Sequence, residues 1–288
     1  MKLGDKEAIR LIAEAGFDSY DFSFHIHKDD SPIYNSNYKE YAEELKKFSE
    51  KHNIPCTQAH AFFRSGKYGD DEYNKSAFEK IVRNMEVASI FGAKVIVVHP
   101  IKHFPVDIKV DKMQYNIEFY KKLLPYCKKW NIKVALENMF MRDEKRDCYI
   151  SSICGFSEEF CTYLDALDSE YFVGCFDTGH SVLVGEDPYD AITALGTRRL
   201  HALHIHDNDF HKDLHILPFM GQIDWEKICS ALAEIDYSDE FTYEADNFIK
   251  QFPQDVFPQA LHLMHAVGRK LINRIEEIKS DNYKRPKI

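Results

Sequence analysis

The sequence predicts an α/β fold of the (β/α)8-barrel type, with its first strand short or missing. Three observations predict it. The chain has 288 residues, close to the ~250 of one large barrel. Short apolar runs alternate with longer segments of helical periodicity, the rhythm of repeated β-α units. Several of the runs, such as Val95-Ile96-Val97-Val98, are apolar on both faces. Strands of a parallel sheet covered on both sides read this way.

The elements follow in order. Met1–Gly4 leaves room for only a stub of a first strand. A helical pattern over Ala8–Ala15 is closed by Gly16, where a left-handed residue is expected. Candidate strands lie at Phe17–Ser23, Cys56–Phe62, Lys94–His99, Lys133–Met139, Phe172–Asp177, Leu200–His206 and Phe241–Ala245. Between them, Phe78, Ile81, Val82, Met85 and Ala88 recur at helical spacing and end at Gly92. Met113, Ile117, Tyr120, Leu124 and Cys127 recur in the same way. No linker, low-complexity segment or repeat interrupts the pattern, so residues 1–288 read as a single domain.

Composition narrows the function. Hydrophobic residues make up 44% and charged residues 29%, an ordinary globular balance. The formal charge is −10, from 37 basic and 47 acidic side chains. Lys and Arg are spread along the chain apart from Lys284, Arg285 and Lys287, which read as a solvated end. An acidic chain without clustered basic residues repels phosphate backbones, which argues against a nucleic-acid partner. No run approaches the ~18 apolar residues of a membrane span. The seven cysteines are odd in number and none has CxxC spacing. With no targeting segment in view, they read as reduced thiols of a cytoplasmic protein.

The chemistry concentrates at strand ends. His60, His99, Glu137 with Asn138, Asp177 with His180, His204 with His206, and Glu244 each close or follow a candidate strand. Asp213 and His215 follow in a loop. Taken singly, a histidine beside an apolar strand is more often structural than a ligand. A carboxylate there is costly unless paired, and a metal is one good partner. In an α/β barrel the strand ends converge on one mouth, so the set is stronger than its members. Carboxylates and imidazoles without thiolates suit Mn²⁺, Mg²⁺, Co²⁺ or Zn²⁺. His204 and His206 are two apart and face the same side of a strand, so either can be the ligand. Asp207 and Asp209 read as supporting loop groups. Gly179 is expected to give the turn between Asp177 and His180 conformational freedom.

The stretches "EAGFDSYDFS", "VIVVHP", "VALEN", "CFDTGH", "LHALHIHDND", "DLHILPFMGQIDW" and "YEA" resemble the xylose-isomerase-like TIM barrel superfamily. The resemblance covers almost the whole chain after about residue 5. It includes sugar phosphate isomerases and epimerases, ketose 3-epimerases, inositol-catabolism enzymes and endonuclease IV. It implies a core metal site of Glu137, Asp177, His204 and Glu244. His204 is chosen because the family's ligand histidine stands three residues before an acidic one, here Asp207. It also implies that Glu137 and Glu244 act as an acid/base pair beside a carbonyl polarised by the metal. His180 resembles a substrate-contacting histidine. Small-molecule substrates and homo-oligomers are usual in the family.

The expected function is therefore a metal-dependent sugar or sugar-phosphate isomerase or epimerase. Phe62, Phe63, Phe140 and Trp225 are candidates to line its pocket. The alternative is an endonuclease IV-like phosphoester hydrolase acting at abasic DNA sites. That enzyme's nine ligands to three zinc ions match His60, His99, Glu137, Asp177, His180, His204, Asp213, His215 and Glu244, so one to three ions are expected. A third reading is a non-catalytic barrel that binds metal or ligand. The ketose 3-epimerases carry an arginine six residues after the ligand histidine, where Phe210 stands here. No individual sugar is therefore named.

Overall fold

The apolar runs form short parallel strands, and the polar residue closing each run is the strand's last residue or lies just beyond it. The computed structural model describes residues 3–105 and 108–284, the side chains of 282–284 excepted. The expected stub at Met1–Gly4 falls partly outside these residues, and Leu3 and Gly4 form no strand. The basic residues Arg285 and Lys287 lie outside them as well. The chain divides into two units, residues 1–137 with 163–173, and residues 138–162 with 174–288.

The first unit holds four parallel strands, β1 (Tyr20–Ser23), β2 (Cys56–His60), β3 (Val95–Val97) and β4 (Lys133–Glu137). Each pairs with the next, with Gln58 opposite Val95 and Val95 opposite Lys133. Ala59, Ile96, Val97, Val134, Ala135 and Leu136 are fully buried, as strands apolar on both faces require. Helices Tyr38–Lys51 and Asp71–Phe91 alternate with the strands. The second is capped by Asp70, whose carboxylate accepts from the Tyr73 N–H at 3.1 Å, the usual role of an aspartate at that position. It ends at Gly92 with φ +100°, the left-handed residue expected there. β3 is shorter than the predicted Lys94–His99. Beyond it, Pro100 has no N–H to give a ladder, and the Asn116 side chain takes the N–H and C=O of Ile101 at 2.7 and 3.0 Å.

In the second unit, β5 (Phe140–Asp143) and β6 (Cys148–Ser151) form an antiparallel hairpin. β7 (Phe172–Asp177) begins in the first unit and continues into the second, where it pairs in parallel with β8 (Leu200–His204). Every residue of β7 is buried. The predicted strand Phe241–Ala245 is reduced to a single parallel bridge between Ile205 and Tyr243. Two bonds hold it, Ile205 N–H to Thr242 O at 2.8 Å and Glu244 N–H to Ile205 O at 3.1 Å. The helix Asp246–Lys250 starts two residues later and stops the ladder. Among the described residues no helix is long and apolar enough to cross a membrane. All seven cysteines are free.

Candidate metal centre

In the first unit, three predicted ligands meet. His60 is the last residue of β2, Glu137 is the last of β4, and His99 stands two residues past β3. The His60 Nε2 lies 3.0 Å from the His99 Nε2. The Glu137 Oε2 is 2.9 Å from His99 Nε2 and 3.8 Å from His60 Nε2. Glu137 is 1% exposed and His60 2%. The His60 Nδ1 faces the Ala61 carbonyl at 2.9 Å. That contact assigns the proton to Nδ1 and leaves Nε2 with its lone pair. Phe63 stacks on His99 with ring centroids 5.1 Å apart. It also lies against His25, which in turn lies edge-on to His60 at 5.5 Å.

In the second unit, the residues closing β7 and β8 meet those of two loops. Asp177 is fully buried. Its Oδ1 caps the helix Thr178–Leu183 by accepting from the His180 N–H at 2.7 Å. The same carboxylate lies 3.0 and 3.1 Å from the His206 Nε2. Asn138 fixes its backbone, accepting from the Asp177 N–H at 2.7 Å and donating to its C=O at 3.0 Å. His204 Nδ1 lies 3.1 Å from Glu244 Oε2. His180, His206, Asp213 and His215 each offer a ligand atom within 4.8 Å of the others. The Nδ1 of His180 faces the Asn138 carbonyl at 2.9 Å, and that of His215 faces the Glu244 carbonyl at 2.8 Å. His206 and His215 stack with centroids 4.2 Å apart and planes 6° from parallel. Both His204 and His206 therefore face a carboxylate, His204 that of Glu244 and His206 that of Asp177.

Asp207 organises the loop that carries Asp213 and His215. It is fully buried. Its Oδ1 accepts from the N–H of Asn208 at 2.9 Å and of Ile223 at 3.1 Å. Its Oδ2 accepts from Phe219 N–H at 3.0 Å and the Trp225 indole at 2.9 Å. Its backbone also pairs with Ile216. The carboxylate thus gathers both ends of the loop. Three non-glycine residues in it are left-handed, Phe210 at φ +66°, His215 at +47° and Phe219 at +74°. Such backbone persists where surrounding contacts over-determine it. Trp225, expected in a sugar pocket, is 4% exposed and serves this core instead. Asp209 caps the neighbouring turn by accepting from His211 and Lys212 N–H.

Gly179 is required for space rather than for conformational freedom. It lies inside the helix Thr178–Leu183, and a Cβ there would stand 2.0 Å from the His206 Cε1. The expected reason for this glycine is corrected accordingly. His25 was missed, although "SFHIH" places an imidazole just past β1. The hairpin was missed as well. Its Phe140 packs edge-on against His180 at 4.7 Å.

The electrostatics ask for a cation. Burial opposes charge on His215, but the hydrogen bond it donates to Asp213 and the charges of Glu244, Asp213 and Asp177 outweigh it and raise the imidazole to about 10. Burial pushes the Asp213 carboxyl up. His215 and the charges of His180 and His206 outweigh that and hold it below the usual carboxylate range. Asp213 Oδ1 and His206 Nδ1 are buried with no hydrogen-bond partner among the described residues. The donor set fits a divalent ion. It has buried carboxylates, and three histidines, His60, His180 and His215, whose Nδ1 atoms face backbone carbonyls and whose Nε2 atoms face carboxylates. Metal-ligating histidines are oriented in this way. Among the described residues these Asp, Glu and His groups are those that can hold a metal.

A family model for the xylose isomerase-like TIM barrel matches residues 9–267. The Sinorhizobium fredii protein y4fM is 26% identical over 252 residues, covering 82% of this chain and 68% of that protein. The D-psicose 3-epimerase of Clostridium cellulolyticum H10, solved with D-tagatose, superposes with TM-score 0.72 at 15% identity. It covers 94% of each chain. The IolI protein, solved with a zinc atom, superposes with TM-score 0.69 at 17% identity, over 95% of this chain and 93% of that one. With the match spanning nearly the whole sequence, the chain belongs to the xylose isomerase-like TIM barrel family.

Proposed function

We propose that this protein is a metal-dependent isomerase or epimerase of a sugar or sugar phosphate. The observation that carries the reading is the orientation of His60, His180 and His215. Each turns its Nδ1 to a backbone carbonyl and its Nε2 toward a carboxylate, the buried Glu137 for His60 and the half-buried Asp213 for His180 and His215. Glu137, Asp177, His204 and Glu244 are the proposed metal ligands, each at or just past a strand end. The structural neighbours, a D-psicose 3-epimerase and an IolI protein solved with a zinc atom, support the same chemistry. The family match across residues 9–267 supports reading the chain as one domain.

Glu137 and Glu244 are the proposed acid and base. A 1,2- or 3-epimerisation needs one group to take a proton from carbon beside a carbonyl and another to return one. A bound divalent ion would polarise that carbonyl. Glu137 Oε2, 2.9 Å from the His99 imidazole, can hold a proton and exchange it with that ring. Glu244, 3.1 Å from His204 Nδ1, has a comparable partner. His180, with Phe140 packed on its ring, is proposed to orient the substrate. The experiment is transfer of solvent deuterium to the carbon beside the carbonyl of a ketose, with and without chelation.

One observation favours a second reading. His180, His206, Asp213 and His215 form a further donor group in the second unit. A site with more than one ion would suit phosphoester hydrolysis, and incision of an abasic duplex tests it.

A further inference from the structure

The second unit builds a slot around one imidazole. His206, two residues past β8, is fully buried. Its backbone is held by Thr178, whose hydroxyl accepts from His206 N–H at 3.1 Å and donates to His206 O at 2.8 Å. Gly179 leaves room for the ring, because a Cβ there would stand 2.6 Å from Nε2 and 2.7 Å from Nδ1. Asn208 fixes that glycine by donating to its carbonyl at 2.9 Å. The ring of His215 stacks on that of His206, 4.2 Å away and nearly parallel. The His206 ring therefore has little freedom to turn.

Its surroundings also place its proton. Nε2 lies 3.0 and 3.1 Å from the two oxygens of Asp177, and an ionised carboxylate can only accept. Nδ1 is buried with no hydrogen-bond partner among the described residues. The proton is therefore assigned to Nε2. This is the opposite tautomer to that of His60, His180 and His215, whose Nδ1 faces a carbonyl. With its proton on Nε2, His206 has no lone pair there to give a cation. Asp213 Oδ1 is 3.9 Å from the same nitrogen, beyond hydrogen-bond distance, so Asp177 is the partner.

Asp177 in turn is left with one open direction. A carboxylate accepts at about four lone-pair sites. Oδ1 takes the His180 N–H at 2.7 Å and faces His206. Oδ2 faces His206 as well, which leaves one of its lone pairs. We infer that His206 is a positioning residue, which donates its Nε2–H to Asp177 and aims the remaining Oδ2 lone pair at the metal. This rests on the reading of Asp177 as a metal ligand and deepens it. Partners of this kind fix the orientation of a ligand and so set how tightly the metal is held.

The test compares His206→Gln with His206→Asn. The glutamine amide reaches to the place of Nε2 and keeps a donor for Asp177. The asparagine amide ends near the place of Nδ1 and does not. Affinity for Zn²⁺ is measured by competition with a chelator dye, and the Co²⁺-loaded proteins are compared by visible absorption. The inference expects His206→Asn to bind Zn²⁺ about 10–100-fold more weakly, with His206→Gln close to the parent. Both should reach the parent's metal content at saturation and keep the form of its Co²⁺ spectrum. If His206→Asn does not fold, Gly179→Ala displaces the ring while keeping every polar group, and the same loss is expected. Parental affinity in the variant that loses the donor overturns the inference. Equal losses in Gln and Asn reduce His206 to packing and overturn it too. A Co²⁺ spectrum of altered form in His206→Gln makes His206 a ligand itself, which also overturns it. Asp177→Ala separates the two readings. If it loses the metal while His206→Asn binds as the parent does, the positioning role alone falls. If it binds as the parent does, Asp177 is not a ligand and both fall. No readout here needs turnover, so failure of the isomerase reading is seen separately.

Discussion

Replacing Asp207 with alanine removes the acceptor of four hydrogen bonds at 2.9–3.1 Å, from Asn208, Phe219, Ile223 and the Trp225 indole. The carboxylate is fully buried. Each buried donor left unmade costs about 1–3 kcal/mol, part of which water entering the vacated space recovers. A net loss of about 4 kcal/mol follows, in line with the ~3–5 kcal/mol of breaking a buried charged network. At about 2 °C per kcal/mol for a chain of this size, Tm falls by roughly 8 °C. The same change frees the loop that holds Asp213 and His215. The variant should therefore bind metal less completely at temperatures where its circular dichroism is still native. Asp207→Asn keeps one acceptor oxygen but turns an NH₂ toward two donors, so it should lie between the parent and Asp207→Ala. The assays are thermal unfolding and metal content per chain. A Tm within 1 °C of the parent together with unchanged metal content would refute the claim that Asp207 shapes this loop.

Further predictions concern the site itself. Glu137→Gln and Glu244→Gln should each abolish turnover while circular dichroism is kept; full activity in either removes it from the acid/base pair. Gly179→Ala places a Cβ 2.0 Å from the His206 Cε1. The ring must move, at a cost of about 1–3 kcal/mol for overpacking, and a variant with parental stability and metal content would contradict that geometry. His215 is raised to about 10, so below that pH it is protonated, and a cation taking its Nε2 must displace the proton. Apparent affinity for Zn²⁺ should thus rise with pH toward 10, by up to about tenfold per unit for one released proton. An affinity independent of pH between 6 and 9, measured by competition with a chelator dye, would show that His215 is not a ligand.

The strands that carry the site were legible because their side chains are apolar on both faces. β7 has the predicted bounds Phe172–Asp177, and Glu137 and His60 close β4 and β2. The ligand-type residues were legible because polarity is conspicuous at the end of an apolar run. What escaped depends on contacts distant in sequence. Nothing local marks Asp207 as the acceptor for Phe219 and Trp225, and nothing around Gly179 announces the ring of His206 above it. The hairpin Phe140–Ser151 has charged residues at its turn and no glycine or proline signal. The strand expected at Phe241–Ala245 shrank to a bridge because helix Asp246–Lys250 follows it so closely.

The central claim is proton transfer beside a carbonyl, dependent on a divalent ion held by these carboxylates and imidazoles. The most direct measurement incubates the metal-loaded protein in D₂O with a panel of ketoses and ketose phosphates, and follows the carbon-bound proton next to the carbonyl by proton NMR. The account predicts loss of that signal for at least one ketose or ketose phosphate, abolished by chelation and restored by Mn²⁺ or Zn²⁺. Retention of the signal across the whole panel, with metal bound and the fold intact, would contradict it.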